Sequence, residues 1–220
     1  MSKAVLFDMD GVLIDSEGLM LKAAAESMHA FGIEAVPEDF IPYIGMEAEK
    51  YFGNVMEKYG KHYTDEVKVH TYNVYGDIIT PEYVCEYATE ILTALRKANI
   101  PFSICSGAVR QKIDHNLKAL GLSDKDLPAV ISGDDVKNNK PHPEIYLTGA
   151  SILGIAPEDC IVVEDSLGGI RAGKASGAKT VGVGTTLTKA DFDKEGNADY
   201  FVNSLAELPQ ILAENGIKLA

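Results

Sequence analysis

The chain has 220 residues, of which 46% are hydrophobic and 24% are charged. This is ordinary globular composition, and it excludes a disordered, collagen-like or coiled-coil chain. Twenty basic and 33 acidic residues give a net charge of −13, so the surface repels phosphate backbones and anionic bilayers. We therefore expect neither nucleic acid nor a membrane as a partner. The length suits one large domain, or one domain that carries a modest second one.

The three cysteines, Cys85, Cys105 and Cys160, are widely spaced and form neither a CxxC pair nor a disulfide framework. We expect them to be small buried hydrophobic residues. The N-terminal apolar run reaches Asp8 too soon for a signal peptide, and no uncharged apolar stretch approaches the roughly 18 residues of a membrane helix. These features predict a cytoplasmic protein in a reducing compartment.

Short runs rich in Val and Ile, each ending in a small or acidic residue, predict buried strands. The predicted strands are residues 4–7, 102–105, 129–131, 160–163 and 180–183. Stretches with helical periodicity alternate with them, and the predicted helices are residues 90–98, 108–120, 143–153 and 166–175. This alternation predicts an α/β fold, a Rossmann-like parallel sheet with helices on both faces.

The interval between the first two predicted strands is too long for one crossover helix. It contains three helical patterns, which end near Gly32, near Gly60 and near Ile78. We predict an inserted all-helical cap domain at residues 17–81, and an α/β core domain at residues 1–16 and 82–220. Eight of the ten tyrosines fall between residues 43 and 87. They suit either a small core that needs large rings or a wall that faces a ligand.

Two carboxylates, Asp8 and Asp10, follow the first predicted strand. Ligands of an open parallel sheet bind at this carboxyl edge. Asp also favours turns, but two acids that share one crevice need a counter-charge, and a cation is the natural one. The spacing does not fit a calcium-binding EF-hand loop, because Val12 and Leu13 stand where a ligand and the turn glycine belong.

A second acidic pair, Glu164 and Asp165, ends a later strand in the same way. If the two strands are neighbours, three or four carboxylates converge, and a hard divalent ion among them would relieve their repulsion. Mg²⁺ fits best, because it prefers oxygen ligands and completes its shell with water and substrate phosphate.

Two other strand ends supply the opposite chemistry. Ser106 and Gly107 offer a hydroxyl and backbone N–H groups at a turn into a helix, which suits phosphate oxygens. Lys140 lies in a loop bracketed by prolines, just before another helix. Each alone would be an ordinary turn, but together with the acidic pairs they predict an anion site.

The motifs DxDGVxxDS from Asp8, Ser106-Gly107, Lys140-Pro-x-Pro-x-x-Tyr and Glu164-Asp-Ser, in this order, resemble the haloacid dehalogenase superfamily. The chain is most similar to the β-phosphoglucomutase-like phosphatases, which have a helical cap inserted after the first motif. The resemblance spans nearly the whole chain. Four ordered motifs are far more specific than any one of them.

The resemblance implies a mechanism and roles for these residues. Asp8 would attack phosphorus and form an aspartyl phosphate. Asp10 would protonate the leaving oxygen and then activate water. Mg²⁺ would be held by Asp8, the backbone carbonyl of Asp10, and Asp165 with help from Glu164, while the remaining phosphoryl oxygens would contact Lys140 and Ser106.

Several activities remain to be weighed within and beyond this family. Dehalogenases of this superfamily lack the second aspartate, so the presence of Asp10 argues against dehalogenation. A phosphonate-cleaving enzyme would need a lysine that forms a Schiff base, and Lys22 and Lys50 are candidates by residue type alone. A mutase would carry a histidine and an arginine where Met20 and Ala48 stand. The inserted segment contains no arginine, the residue that usually binds a second phosphate through two hydrogen bonds, and this disfavours a bisphosphate intermediate.

We therefore expect hydrolysis of a small phosphorylated metabolite of the sugar or polyol phosphate class. The alternatives are a β-phosphoglucomutase-like phosphoryl-transfer isomerase and, from another class, a phosphorylation-sensing receiver module. Receivers are shorter and have no helical insertion after the first motif. The sequence leaves the oligomeric state open.

Overall fold

Six parallel strands form one sheet in the computed structural model, which describes residues 2–219 apart from the side chains of residues 124, 195 and 196. The strands in the described part of the chain are β1 (Ala4–Phe7), β2 (Phe102–Cys105), β3 (Val130–Ile131), β4 (Cys160–Glu164), β5 (Lys179–Val183) and β6 (Tyr200–Val202). Their order across the sheet is β3-β2-β1-β4-β5-β6. The predicted α/β class is confirmed.

Helices follow the strands as the alternating pattern predicts. Those of the α/β part are α4 (Ala88–Lys97), α5 (Arg110–Ala119), α6 (Glu144–Leu153), α7 (Leu167–Ser176), the single turn α8 (Lys189–Asp191) and α9 (Leu208–Glu214). Those between β1 and β2 are α1 (Glu17–Met28), α2 (Ala48–Lys58) and α3 (Asp65–Ile78). The sequence pattern did not predict β6, α8 or α9, because all three elements are short.

The register of β1 determines which residues meet at the carboxyl edge of the sheet. Phe7 lies opposite Ile104 of β2 on one side and opposite Val163 of β4 on the other. All residues of β1 and β4 are buried, which explains their unbroken apolar sequences. Asp8, which directly follows Phe7, therefore lies beside Glu164, which directly follows Val163 and ends β4.

Helices α6 and α7 pack closely on the sheet through glycines. A Cβ at Gly149 of α6 would lie 2.7 Å from the Sγ atom of Cys105, and a Cβ at Gly173 of α7 would lie 2.8 Å from a methyl group of Thr180. The apolar core on this face includes Leu6, Cys105, Ile131, Ile145 and Val162. This packing fixes the helices that carry the loops at the carboxyl edge.

The cysteines contribute packing rather than reactivity. Cys105 and Cys160 are buried as expected, whereas Cys85 is only partly buried. Burial raises the pKa of Cys85 and that of Cys105 to about 12, and it raises the pKa of Cys160 to about 11. The thiols are therefore protonated at neutral pH, and none is a ready nucleophile.

The chain divides into two compact units. The residues up to Asp15 and those from Pro81 onward form the α/β unit, and Ser16–Thr80 form the helical unit. The helical unit has its own core, which includes Met28, Phe40, Phe52, Val55 and Val67. Tyr51 and Tyr75 are buried within it, whereas the ring of Tyr59 is exposed. Among residues 2–219, none of the helices has the length and apolarity that a bilayer crossing requires.

Candidate active site

Three acidic side chains meet at the carboxyl edge, next to the centre of the sheet. Asp8 follows β1, Glu164 is the last residue of β4, and Asp165 comes directly after it. Each offers a carboxylate oxygen, and these oxygens all lie within 4.8 Å of one another. The three side chains are buried, with exposed fractions of 7% or less. This acidic triad has the hard oxygen donors and the spacing of a site for a divalent cation.

Burial and repulsion from neighbouring carboxylates both disfavour ionisation of Asp8 and Asp165. Burial raises the pKa of Asp8 well above its usual value; Lys140 opposes this effect, and the charges of Glu164 and Asp165 add to it. Burial also raises the pKa of Asp165 to about 7, with repulsion from Glu164 as the next cause. The carboxylates therefore need more positive charge than the surrounding protein supplies.

Lys140 provides part of that positive charge. Its Nζ atom donates to Asp8 Oδ1 and to Glu164 Oε1, both at 2.6 Å. Burial opposes a charge on this lysine, but the two carboxylates outweigh it and raise its pKa, so Lys140 stays protonated. The loop between β3 and α6 thus places a largely buried ammonium group against two members of the triad.

Glu164 receives hydrogen bonds on both of its oxygens. Oε1 accepts from Lys140 and from the hydroxyl of Tyr146, at 2.6 and 2.7 Å. Oε2 accepts from the backbone N–H groups of Asp165 and Ser166 and from the Ser166 hydroxyl, at 2.9 to 3.2 Å. These five donors fix the orientation of a carboxylate that is fully buried. Glu164 in turn fixes Lys140 beside Asp8.

Two glycines are required for the close approach of backbone to this site. Gly11 has a φ of +75°, and a Cβ there would lie 1.9 Å from Asp165 Oδ2. A Cβ at Gly169, in the first turn of α7, would lie 1.7 Å from Glu164 Oε1. A larger residue at either position would displace a carboxylate of the triad.

Ser106 and Gly107 lie at the same edge, directly after β2. Ser106 is buried, and its Oγ accepts a hydrogen bond from the N–H of Ala108 at 3.2 Å. Gly107 is exposed and lies against Gly133, whose N–H donates to the Ala108 carbonyl at 2.8 Å. The structure thus brings the Ser-Gly turn to the edge that carries the triad.

The Asp10 carboxylate has different hydrogen-bond partners from the acidic triad, although its charge adds to the raised pKa of Asp8 and of Asp165. Lys112 Nζ donates to Asp10 Oδ1 at 2.7 Å, and Asn116 Nδ2 approaches the same oxygen at 3.3 Å. Neither residue was predicted from the sequence. Their signal was present: two polar residues, one helical turn apart, interrupt the apolar face of α5 that carries Ile113 and Leu117.

The hydroxyl of Thr186 is a second contact that the sequence did not indicate. Thr186 lies in the loop after β5, and its Oγ1 donates to Asp165 Oδ2. The neighbouring Thr185 hydroxyl donates to the backbone carbonyl of Gly11 at 2.5 Å. Nothing in a Gly-Thr-Thr loop distinguishes such hydroxyls from those of ordinary turn residues, because their partners are distant along the chain. Gly11 is 174 residues from Thr185, and Asp165 is 21 residues from Thr186.

Comparison with known proteins identifies the class of enzyme that this fold and site define. Residues 5–183 match the haloacid dehalogenase-like hydrolase family. The chain is 32% identical to pyrophosphatase PpaX of Bacillus velezensis, over 94% of this chain and 95% of that protein. It is 30% identical to validoxylamine A 7'-phosphate phosphatase of Streptomyces hygroscopicus subsp. limoneus, over 94% and 96% of the two chains.

A third relative is a much larger protein. The chain is 38% identical to the chloroplastic protein SUPPRESSOR OF QUENCHING 1 of Arabidopsis thaliana over 85% of its own length, but it spans only 18% of that protein.

Solved structures agree with the sequence relatives. A haloacid dehalogenase family hydrolase from Deinococcus radiodurans, with bound phosphate and sodium, is 30% identical, with a TM-score of 0.75 over 99% of this chain and 97% of that one. A β-phosphoglucomutase from Clostridium difficile is 28% identical, with a TM-score of 0.74 over 98% and 97%.

This chain belongs to the haloacid dehalogenase-like hydrolase family. The predictions that it resembles this family and that it is an enzyme, a phosphatase by class, are confirmed. The alternative of a receiver module loses its basis, because the family match covers most of the chain.

Substitution of the two neighbouring glycines in α7 tests the close approach at Glu164. Gly169→Ala should destabilise the fold by about 1–3 kcal/mol, because the new methyl group overlaps a buried carboxylate. Gly168→Ala is the matched control; a Cβ there meets no atom within 4 Å, so it should be neutral or stabilise by up to about 1 kcal/mol. Urea unfolding followed by circular dichroism measures both, and equal stability of the two variants would contradict the geometry.

Proposed function

We propose that this chain is a Mg²⁺-dependent phosphatase that hydrolyses a small phosphomonoester of the sugar or polyol phosphate class through an aspartyl phosphate on Asp8. The observation that carries the proposal is the position of Asp8, which lies within the buried acidic triad and 2.6 Å from Lys140. A nucleophile, a cation site and an ammonium group then converge where a phosphoryl group would bind.

The donor set of the triad fits Mg²⁺. All the side-chain donors are carboxylate oxygens, and no histidine or cysteine joins them among the described residues. In our proposal Asp8, Asp165 and the backbone carbonyl of Asp10 hold the ion, with help from Glu164. Bound Mg²⁺ would supply the positive charge that the triad lacks and would polarise a phosphoryl oxygen.

Phosphoryl transfer to Asp8 is the first chemical step. A carboxylate oxygen of Asp8 forms a bond to phosphorus as the bond from phosphorus to the ester oxygen breaks. Asp10 gives its proton to the departing oxygen. Lys140 lies against Asp8, where its ammonium group can hold the nucleophile in place and balance charge on the phosphoryl oxygens. The hydroxyl of Ser106 binds a further oxygen.

Hydrolysis of the aspartyl phosphate is the second step. A water oxygen forms a bond to phosphorus, its proton passes to Asp10, and the bond from phosphorus to Asp8 breaks. Both catalytic aspartates return to their starting states, so the cycle releases one alcohol and one phosphate. We propose that the helical unit Ser16–Thr80 acts as the cap that excludes bulk water and reads the leaving group.

A phosphoryl-transfer isomerase is the second candidate, favoured by the similarity to the C. difficile β-phosphoglucomutase. The arginines argue against it, because Arg96, Arg110 and Arg171 all lie in the α/β unit and leave the helical unit without a guanidinium for a second phosphate. A steady-state screen with sugar phosphates, polyol phosphates, nucleotides and pyrophosphate separates the two. Phosphate release supports the phosphatase, whereas strong dependence on glucose 1,6-bisphosphate without phosphate release would overturn it.

Removal of the nucleophile is the first prediction from this mechanism. Asp8→Asn should retain the fold yet lose at least roughly three orders of magnitude in kcat, because an amide cannot attack phosphorus. Phosphate release measures the rate, and circular dichroism checks the fold. Asp114→Asn, which changes an exposed carboxylate on α5, should keep the rate of the unmodified chain. Near-normal phosphatase activity of Asp8→Asn would contradict the assignment.

The raised pKa of Asp165 predicts how stability depends on pH and Mg²⁺. An acid whose pKa is raised by folding, here from 3.8 to about 7, stabilises the fold at low pH, and this contribution is lost as the pH rises through about 7. In chelator, we expect the Tm of Asp165→Asn to fall less than that of the unmodified chain between about pH 5 and 8.

Mg²⁺ should restore the lost stability, because a ligand that binds only the folded state raises Tm. The rise on adding Mg²⁺ should be larger at about pH 8 than at about pH 5, and Asp165→Asn should lose most of it. Differential scanning calorimetry with and without chelator measures each Tm. An equal rise with Mg²⁺ in both proteins would show that Asp165 does not hold the ion.

A further inference from the structure

The contact of Lys112 and Asn116 with Asp10 is a buried arrangement that the family motifs do not include. The side chain of Lys112 is 11% exposed, and Asn116 is fully buried. Both donate toward the same atom, Asp10 Oδ1, at 2.7 and 3.3 Å. Two donors from one helix therefore converge on one oxygen of one carboxylate.

The apolar core alone does not require this arrangement. The face of α5 that carries Lys112 and Asn116 also buries Ile113 and Leu117, so apolar residues would complete it. Burial of an ammonium group carries a desolvation penalty that hydrophobic residues would avoid. A buried lysine of this kind is weak evidence for stability, and its directional contact with Asp10 calls for another role.

Lys112 and Lys140, whose side chains are only 11% and 13% exposed, contact different carboxylates. Lys140 contacts Asp8 and Glu164, the nucleophile and its neighbour. Lys112 contacts Asp10, which exchanges protons in the proposed mechanism. The nucleophile and the proton-exchanging residue of the proposed mechanism therefore each have a lysine of their own.

We propose that Lys112 and Asn116 are positioning residues that hold the carboxyl group of Asp10 in the orientation for proton transfer. The inference rests on the function proposed above. Because both donors contact Oδ1, we expect this oxygen of Asp10 to accept hydrogen bonds throughout the cycle. Oδ2 then carries the proton that Asp10 gives to the leaving oxygen, and it later accepts a proton from water. The fixed Oδ1 keeps Oδ2 directed at the reacting atoms.

Leaving groups of different basicity distinguish this role from simple structural support. Departure of a sugar or polyol oxygen needs the proton from Asp10, whereas p-nitrophenolate departs as a stable anion. The ratio kcat/KM reports only the steps up to release of this first product. The kcat value also includes hydrolysis of the aspartyl phosphate, in which Asp10 must accept a proton from water whichever substrate was used.

Lys112→Met is the primary test. With the sugar or polyol phosphate that the unmodified chain hydrolyses fastest, kcat/KM should fall by about 10- to 100-fold, a share of what proton transfer contributes. With p-nitrophenyl phosphate, kcat/KM should change by less than about 3-fold, while kcat and KM should fall together as the aspartyl phosphate accumulates.

Three further variants complete the design. Lys118→Met removes an exposed lysine from the same helix and should change neither ratio. Lys112→Arg keeps a cationic donor and should recover part of the loss. Asn116→Leu roughly keeps the volume of the side chain, and it should lower kcat/KM less than Lys112→Met does, with the same dependence on the leaving group. This variant provides the test if Lys112→Met does not fold.

Each outcome bears on the inference. If Lys112→Met lowers kcat/KM equally with both substrates, Lys112 supports binding or the fold. If Lys112→Met leaves kcat/KM unchanged with both substrates, Lys112 does not act on Asp10. Either result would overturn the inference. If the unmodified chain releases no phosphate from either substrate with Mg²⁺, the proposed function itself fails. The two failures are therefore distinguishable, because failure of the proposed function is seen in the unmodified chain and failure of the inference is seen only when the variants are compared with it.

Discussion

The repulsion among three buried carboxylates is the interaction on which the site depends. Asp8, Glu164 and Asp165 lie within 4.8 Å of one another at the edge of the sheet, away from bulk water. Burial is the largest cause of the raised pKa values of Asp8 and Asp165, and the repulsion that Lys140 balances only in part adds to it. A folded protein tolerates such a site when binding of a cation and a phosphoryl group needs it.

The fold produces this cluster through register and close packing. Parallel pairing of β1 with β4 brings Asp8 beside Glu164 and Asp165, although more than 150 residues separate them in sequence. Gly11 and Gly169 then allow backbone to approach the carboxylates at distances that a Cβ would forbid. The hydrogen bonds to Glu164 complete the arrangement, because they fix one of the two triad carboxylates that Lys140 contacts.

The residues differ in how far the sequence could predict them. Asp8 and the Glu164-Asp165 pair were predictable because acids rarely end a wholly apolar strand, and that signal is local. No local sequence signal shows that β1 and β4 are neighbours in the sheet, and only the family resemblance implied it before the structure. Lys112 and Asn116 were missed because helical periodicity does not say which turn of α5 meets the sheet edge. The short strand β6 was missed because three residues, two of them only half buried, carry too little pattern.

Chemical trapping of the aspartyl phosphate tests the central claim most directly. The chain would be mixed with p-nitrophenyl phosphate, quenched within milliseconds and reduced with borohydride, which converts an aspartyl phosphate to homoserine. Mass spectrometry of the peptide that contains Asp8 then locates the reduced residue. The account predicts reduction at position 8 that requires Mg²⁺ and is abolished by chelator. Turnover with no reduction at position 8, or with reduction at another aspartate, would contradict it.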